Sequence, residues 1–203
     1  MKLNRLFLLI VIVYLQGCSS ASYLLTLSEV TRPAVIKQKY GSTKIYRTSM
    51  RDSNKLYFED NIIKIIWMPT NQQFNFRLYN KSKYPIKIIW DEASFVNSDN
   101  EAHHVILAGI KYINKESSMV PTIIPPNTYI NDLIIPSSAI IWEINGPFSG
   151  WKLAPIFPFD MNGKRMPEYL GSTYKIALPI EIQDIQCNYM FIFKVIKINT
   201  NED

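Results

Sequence analysis

The chain has 203 residues, a formal net charge of +5 and 47% hydrophobic residues. This length suffices for one domain with a substantial core and is short for two. The basic residues are scattered and form no run of five or six, so we expect no nucleic-acid partner.

The N-terminus has the layout of a secretory signal peptide. Lys2 and Arg5 precede an unbroken apolar run, Leu6–Leu15, and the small residue Gly17 follows it. The run is too short for a membrane-spanning helix, which needs about 20 apolar residues. We therefore predict that residues 1–17 form a signal peptide and are removed.

The stretch Leu15-Gln16-Gly17-Cys18 resembles the lipobox of bacterial lipoproteins, with Leu at −3, Gly at −1 and Cys at +1. The resemblance implies that Cys18 becomes the mature N-terminus and carries acyl chains, which anchor the protein to a membrane of the cell envelope. Ser19 at the next position is compatible with onward transport to an outer membrane. Ordinary secretion is the alternative.

We predict a lipidated N-terminus and tether over residues 18–39 and a single domain over residues 40–203. The stretch Tyr23-Leu24-Leu25 is too apolar for a free linker, which favours its docking on the domain.

The composition of the predicted domain favours β-structure. Isoleucine far outnumbers alanine, aromatic residues are plentiful, and 12 prolines punctuate the chain. Alternating or continuous apolar runs predict strands at Lys44–Thr48, Ile62–Trp67, Phe74–Tyr79, Ile86–Asp91, His104–Tyr112, Tyr129–Ile135, Ala139–Ile144, Tyr174–Ile182 and Tyr189–Ile198.

So many short strands predict an all-β, antiparallel β-sandwich of the immunoglobulin-like type, with a small β-barrel as the alternative. Phe74–Tyr79 and Ile86–Asp91 are separated by a short polar stretch, which predicts a hairpin. Pro179 has no backbone donor, so Tyr174–Ile182 is expected to be an edge or a bulged strand.

Part of the predicted domain is similar to uncharacterised bacterial lipoproteins with a sandwich domain, and this similarity implies no activity. It is carried by the stretches Asn80-Lys81-Ser82, Ile88-Ile89-Trp90-Asp91-Glu92, His104-Val105-Ile106, Gly109-Ile110-Lys111-Tyr112 and Pro121-Thr122-Ile123-Ile124-Pro125-Pro126.

The chain has two cysteines, Cys18 and Cys187. An acylated Cys18 cannot form a disulfide, so Cys187 is expected to be a lone thiol. A buried, inert thiol is favoured over a reactive or intermolecular one. The sequence has no cysteine cluster that would hold a metal, and we expect neither a metal nor a cofactor.

His103 and His104 are the only histidines. Neighbours in a strand point to opposite faces, so the two cannot ligate one metal together. We expect one of them to be buried and the other exposed. The alternative is an envelope hydrolase that uses His103 or His104, although the sequence contains no G-x-S-x-G elbow.

The segment Asn145–Ser172 is rich in glycine, proline and aromatic residues and predicts a long irregular loop. Aromatic residues dominate binding hot spots, so Phe148, Trp151, Phe157 and Phe159 are candidate binding residues. We expect instead that these rings fold back and cap the open end of the sandwich, where their burial is favourable.

The sequence therefore predicts a non-catalytic binding or assembly module, attached to the membrane through Cys18 and in contact with a protein, glycan or lipid of the envelope. The alternatives are the hydrolase and a structural subunit of a larger envelope complex.

Overall fold

The computed structural model describes residues 22–32, 44–47, 55–157 and 166–199. These residues form strands and short 3₁₀ turns, so the predicted all-β, antiparallel class is confirmed. Cys18 and the predicted signal peptide, residues 1–17, lie outside the described residues. Within the described ranges, no helix is long and apolar enough to cross a bilayer.

The strands run in chain order as follows: β1 (Ser22–Thr31), β2 (Lys44–Arg47), β3 (Leu56–Glu59), β4 (Ile63–Pro69), β5 (Phe74–Asn80), β6 (Ile86–Ile88), β7 (Ser94–Val96), β8 (Ala102–Ile106), β9 (Thr122–Ile124), β10 (Tyr129–Pro136), β11 (Ile140–Glu143), β12 (Gly150–Leu153), β13 (Thr173–Ile182) and β14 (Ile185–Asn199). The 3₁₀ turns are Trp90–Glu92, Tyr112–Asn114, Ser137–Ala139, Gly146–Phe148 and Met166–Tyr169.

Twelve of the strands form one sheet in the order β1-β14-β13-β7-β8-β10-β5-β4-β3-β2, with β6 beside β13 and β9 beside β6. The sheet folds over itself and brings β4 against β14. The Trp67 ring of β4 lies 5.2 Å from the Phe191 ring and 5.5 Å from the Phe193 ring of β14. The result is a sandwich-like, nearly closed barrel. Strands β11 and β12 form a separate two-stranded sheet.

The alternation in the sequence explains the core. Strands β4 and β5 bury every second residue, and their outward residues are only half-buried. Strand β13 likewise buries Tyr174, Ile176, Leu178, Ile180 and Ile182, the five residues that the sequence placed on one face. Their rings and branched side chains fill the space between the layers.

The predicted hairpin of Phe74–Tyr79 with Ile86–Asp91 is wrong. Strand β5 pairs with β4 and β10, whereas β6 pairs with β13 and β9. The buried Asn80 amide donates to the carbonyls of Tyr84 and Ile124 at 2.8 and 2.9 Å. These hydrogen bonds hold the segment between β5 and β6 in place as the chain crosses from one side of the folded sheet to the other.

Strand β13 is neither an edge nor bulged, so this prediction from Pro179 is also wrong. It pairs without a register shift with β14 on one side, and with β7 and then β6 on the other. The Pro179 carbonyl accepts the Ile89 N–H at 3.1 Å. The backbone N–H that proline lacks would point to this same side of β13. It would lie between the residues that pair with β7 and those that pair with β6, where no hydrogen bond of the ladder requires it.

The sheet begins before residue 40, where the domain was predicted to start. Strand β1 pairs with β14 and buries Tyr23, Leu25 and Leu27, so this part of the predicted tether belongs to the fold. The strand predicted over His104–Tyr112 ends at Ile106 in β8, because the chain turns at Gly109, where φ is +81°. Strands β1, β3, β7, β9 and β12 were not predicted.

Candidate functional site

The segment after β10 forms a hairpin of β11 and β12 that carries exposed tryptophans. Trp142 and Trp151 are direct partners in the ladder, and their rings meet edge-to-face with centroids 5.5 Å apart. Cross-strand aromatic pairs of this kind stabilise a hairpin. Trp142 nevertheless remains 53% exposed and Trp151 38% exposed.

The tip of the hairpin is also apolar. Ile144 is 83% exposed and Phe148 is 78% exposed. The turn between them is held by Ser149, whose hydroxyl accepts the Asn145 N–H at 2.9 Å and donates to the Gly146 carbonyl at 2.8 Å. Gly146 has φ +50°, a conformation that glycine adopts without strain. The turn therefore presents apolar side chains to solvent in a fixed conformation.

The charged groups around the hairpin are already engaged within the protein. Lys152 pairs with Glu143 at 2.6 Å. The Lys115 ammonium donates to the carbonyls of Ser137 and Ile140 at 3.1 and 3.0 Å, and lies 5.9 Å from the centre of the Trp151 ring. The exposed surface of the hairpin is therefore mostly apolar and close to neutral.

The root of the hairpin is fastened to the end of the domain where β1 begins. The Ile156 N–H donates to the Asn71 carbonyl at 2.7 Å. Phe157 stacks on Tyr23 of β1 at 5.1 Å and meets Tyr174 of β13 edge-to-face at 4.9 Å. The start of β1 and the hairpin root thus share one end of the fold.

The structure divides the four aromatic residues that the sequence singled out. Phe157 is only 2% exposed and belongs to the core, so it caps the sandwich and does not offer a binding surface. Phe148 and Trp151 do not cap the core, contrary to expectation, because the hairpin carries them away from it. Phe159 lies outside the described residues.

Sequence reasoning missed Trp142 and Ile144 as members of this surface. The apolar run Ala139–Ile144 predicted a strand of the domain, and an apolar strand normally packs against a core. One available signal was the run Ile140-Ile141-Trp142, which lacks the clean alternation of a half-buried strand. Of these three residues, only Ile140 is buried.

The two histidines of β8 lie apart from the hairpin, and neither is buried. The His103 side chain is 23% exposed, and its Nε2 lies 3.7 Å from the Glu101 carboxylate. The expectation of one buried histidine is therefore wrong. His104 is exposed and lines an open cleft of about 230 Å³ with Asp91 and Ser118.

The cleft brings together a histidine, a carboxylate and a serine, but their hydrogen bonds do not make a nucleophile. The Ser118 hydroxyl donates to Asp91, which also accepts the Met119 N–H at 2.7 Å. These bonds hold the pKa of Asp91 below its usual range. An activated serine would instead donate to a base such as His104. Among the described residues, no group of three or more His, Cys, Asp or Glu could hold a metal.

Cys187 is a buried free thiol on β14. Its burial raises its pKa to about 11, because the thiolate is poorly solvated there. A thiol of this kind is unreactive at neutral pH, which is the behaviour favoured from the sequence.

Comparison of the chain with protein-family models, with curated proteins and with solved structures finds no match. The functional argument therefore rests on the residues of this chain.

Proposed function

We propose that the chain is a lipid-anchored protein of the cell envelope that works as a non-catalytic binding module through the β11–β12 hairpin. The observation that supports this function is the exposure of Trp142, Ile144, Phe148 and Trp151 on one small element. Contiguous exposed apolar surface on a soluble domain marks an interaction site.

While these side chains stay exposed, the fold lacks the stabilisation that their burial would supply. Burying a side chain of this size is worth about 1.5–3 kcal/mol, and the same segment does bury Phe157. A hairpin with no contact to make would be equally stable with polar residues at its tip. Tryptophan and phenylalanine in such positions suit the centre of an interface.

The anchor rests on the lipobox resemblance of Leu15-Gln16-Gly17-Cys18, and the Cys18→Ala variant tests it. We expect the native protein to carry acyl mass on Cys18 by mass spectrometry and to stay with membranes after a carbonate wash. The variant should be released or left unprocessed, because several acyl chains, each worth about 0.8 kcal/mol per buried CH₂, hold the protein. A variant that is processed and fractionates with membranes as the native protein does would contradict the anchor.

The contact made by the hairpin is tested by cysteine labelling in intact envelopes. Native Cys187 is buried and Cys18 is acylated in this proposal, so an introduced cysteine reports alone. We expect Ile144→Cys to react with a maleimide in the purified protein and to be protected in the envelope. Ile123→Cys is the matched control, since Ile123 is 65% exposed on β9 and should react equally in both. Equal labelling of Ile144→Cys in both preparations would exclude the hairpin as the contact.

An envelope hydrolase is the second candidate, because His104 lines an open cleft with Asp91 and Ser118. The hydrogen bond from Ser118 to Asp91 argues against it. A fluorophosphonate probe, which labels activated serines, separates the two functions. We expect no labelling of the native protein. Labelling that is lost in both Ser118→Ala and His104→Ala would establish the hydrolase and refute the non-catalytic proposal.

A further inference from the structure

We propose that the β11–β12 hairpin enters the surface of the same bilayer that holds the acyl chains of Cys18, so that the domain contacts the membrane at two points. This inference rests on the proposed function and identifies the partner of the hairpin as a lipid surface. Two features support it: the position of the hairpin relative to the anchor, and the chemistry of its exposed side chains.

The tether between the anchor and the fold is short. Ser22 is the first residue of β1, four positions after Cys18, and Tyr23 is already buried. Even a fully extended chain covers at most about 3.3–3.6 Å per residue, or about 14 Å over four residues. The distance from the start of β1 to the bilayer surface would therefore be at most about half the thickness of the hydrocarbon core.

The hairpin is rooted beside this same end of the domain. Tyr23 stacks on Phe157 with ring centroids 5.1 Å apart, and Phe157 follows the end of β12 by four residues. The Gln72 amide, in the turn between β4 and β5, donates to the Leu153 carbonyl at 3.1 Å. An anchor at Cys18 would therefore hold the root of the hairpin near the bilayer, and Trp151 lies two residues before Leu153.

The exposed side chains match the chemistry of the interface between lipid and water. Tryptophan is enriched at the level of the lipid headgroups, where its ring is buried and its N–H stays hydrated. Ile144 and Phe148 at the tip supply the apolar groups that reach the acyl chains. The flanking charges are paired or engaged, as Lys152 is with Glu143, so insertion depends on apolar contact. We expect it to need no anionic lipid and to change little with salt.

The experiment uses the acylated native protein in phosphatidylcholine vesicles whose acyl chains carry bromine, a short-range quencher, near the headgroups. Trp67 and Trp90 are 0% exposed, so quenching reports on Trp142 and Trp151. We expect brominated vesicles to lower the tryptophan emission relative to unbrominated ones. The double variant Trp142→Phe/Trp151→Phe should abolish that difference.

Two matched double variants test the role of the tip. Ile144→Ala/Phe148→Ala should reduce the quenching about twofold or more, because fewer apolar groups enter the acyl region. Ile123→Ala/Ile185→Ala removes exposed apolar groups beside the end of β13 opposite Tyr174, where the hairpin root does not lie, and should leave the quenching unchanged. Equal loss in both variants would overturn the inference.

Other results separate this inference from the proposed function. An acylated, membrane-held protein whose tryptophans are not quenched would overturn the lipid contact and leave the anchor intact. A hairpin that is covered by a protein partner or by a second copy of the chain would have the same two consequences. If Cys18 carries no acyl chain, the anchor fails, and the same vesicles added to the free protein still decide the lipid contact. Quenching there would show a lipid contact of the hairpin alone and overturn the two-point contact, and no quenching would overturn both.

Discussion

Arg32 and Asp60 form a buried salt bridge between the two ends of the long sheet. Arg32 Nη1 lies 2.6 Å from Asp60 Oδ2, and the two side chains are 2% and 0% exposed. Arg32 follows β1, the first strand of the sheet, and Asp60 follows β3 near its other end. Asp60 also accepts the Tyr189 hydroxyl at 2.8 Å and the N–H groups of Ile62 and Ile63. The bridge therefore joins β1 to the part of the sheet near β3, and among the described residues no ladder pairs these two strands.

The first prediction concerns this bridge. Asp60→Ala should lower the free energy of unfolding by about 3–5 kcal/mol, because it breaks a buried ion pair by removing one of its two charges. Glu59→Ala is the control, since the neighbouring Glu59 pairs with Lys81 at 2.6 Å on the surface and should cost at most about 1 kcal/mol. Urea titrations of the two variants measure both costs. Equal costs would contradict the role assigned to Asp60.

The second prediction concerns the thiol of Cys187. Burial raises its pKa to about 11, so it should stay protonated and closed to reagents in the folded protein. We expect no reaction with a thiol reagent at pH 8 in buffer and full reaction in denaturing urea. Rapid modification of the folded protein would show that the site opens or that the thiol is exposed.

The third prediction compares two aromatic residues of one segment. Phe157→Ala should cost about 3–5 kcal/mol, because the ring fills the core against Tyr23 and Tyr174. Trp151→Ala should cost less, about 1 kcal/mol, since the residue is 38% exposed and its ring packs on the exposed Trp142 and below Lys115, outside the main core. Thermal melts of the two variants test this order. A Trp151 variant as unstable as the Phe157 variant would mean that the hairpin packs on the core.

The fourth prediction concerns pH. Burial raises the pKa of the Asp132 carboxyl, against two backbone N–H donors, Leu133 and Ala108, that lower it. The folded state therefore binds the proton at a higher pH than the unfolded state, whose pKa is about 3.9. The titration of Asp132 therefore lowers the free energy of unfolding as the pH rises from the pKa of the unfolded state through the higher pKa of the folded state.

Asp132→Asn removes this titration while keeping an oxygen that can accept both N–H groups. The variant should gain stability relative to the native protein at pH 7 and show little difference at pH 3.5. Urea midpoints at the two pH values measure the change. A difference in stability of the same size at both pH values would show that the effect comes from lost hydrogen bonds and not from the charge of Asp132.

The sequence by itself determined the class of the fold and the inward faces of β5 and β13. The alternation in Phe74–Asn80 and Thr173–Ile182 predicts which side chains are buried, because successive residues of a strand point to opposite faces whatever their partners are. These two properties depend on the order of residues along the chain, which the sequence contains.

Only the tertiary structure decided which strands pair and which aromatic residues reach solvent. Strands β5 and β6 follow each other closely in the chain, yet they join different partners. The Asn80 amide at the end of β5 donates to the Ile124 carbonyl of β9, the strand beside β6. Phe148 and Phe157 are the same residue type in one segment, yet one is 78% exposed and the other 2%. Burial depends on the elements that surround a side chain in space, and the surroundings of Phe157 are Tyr23 and Tyr174, which lie far from it in the sequence.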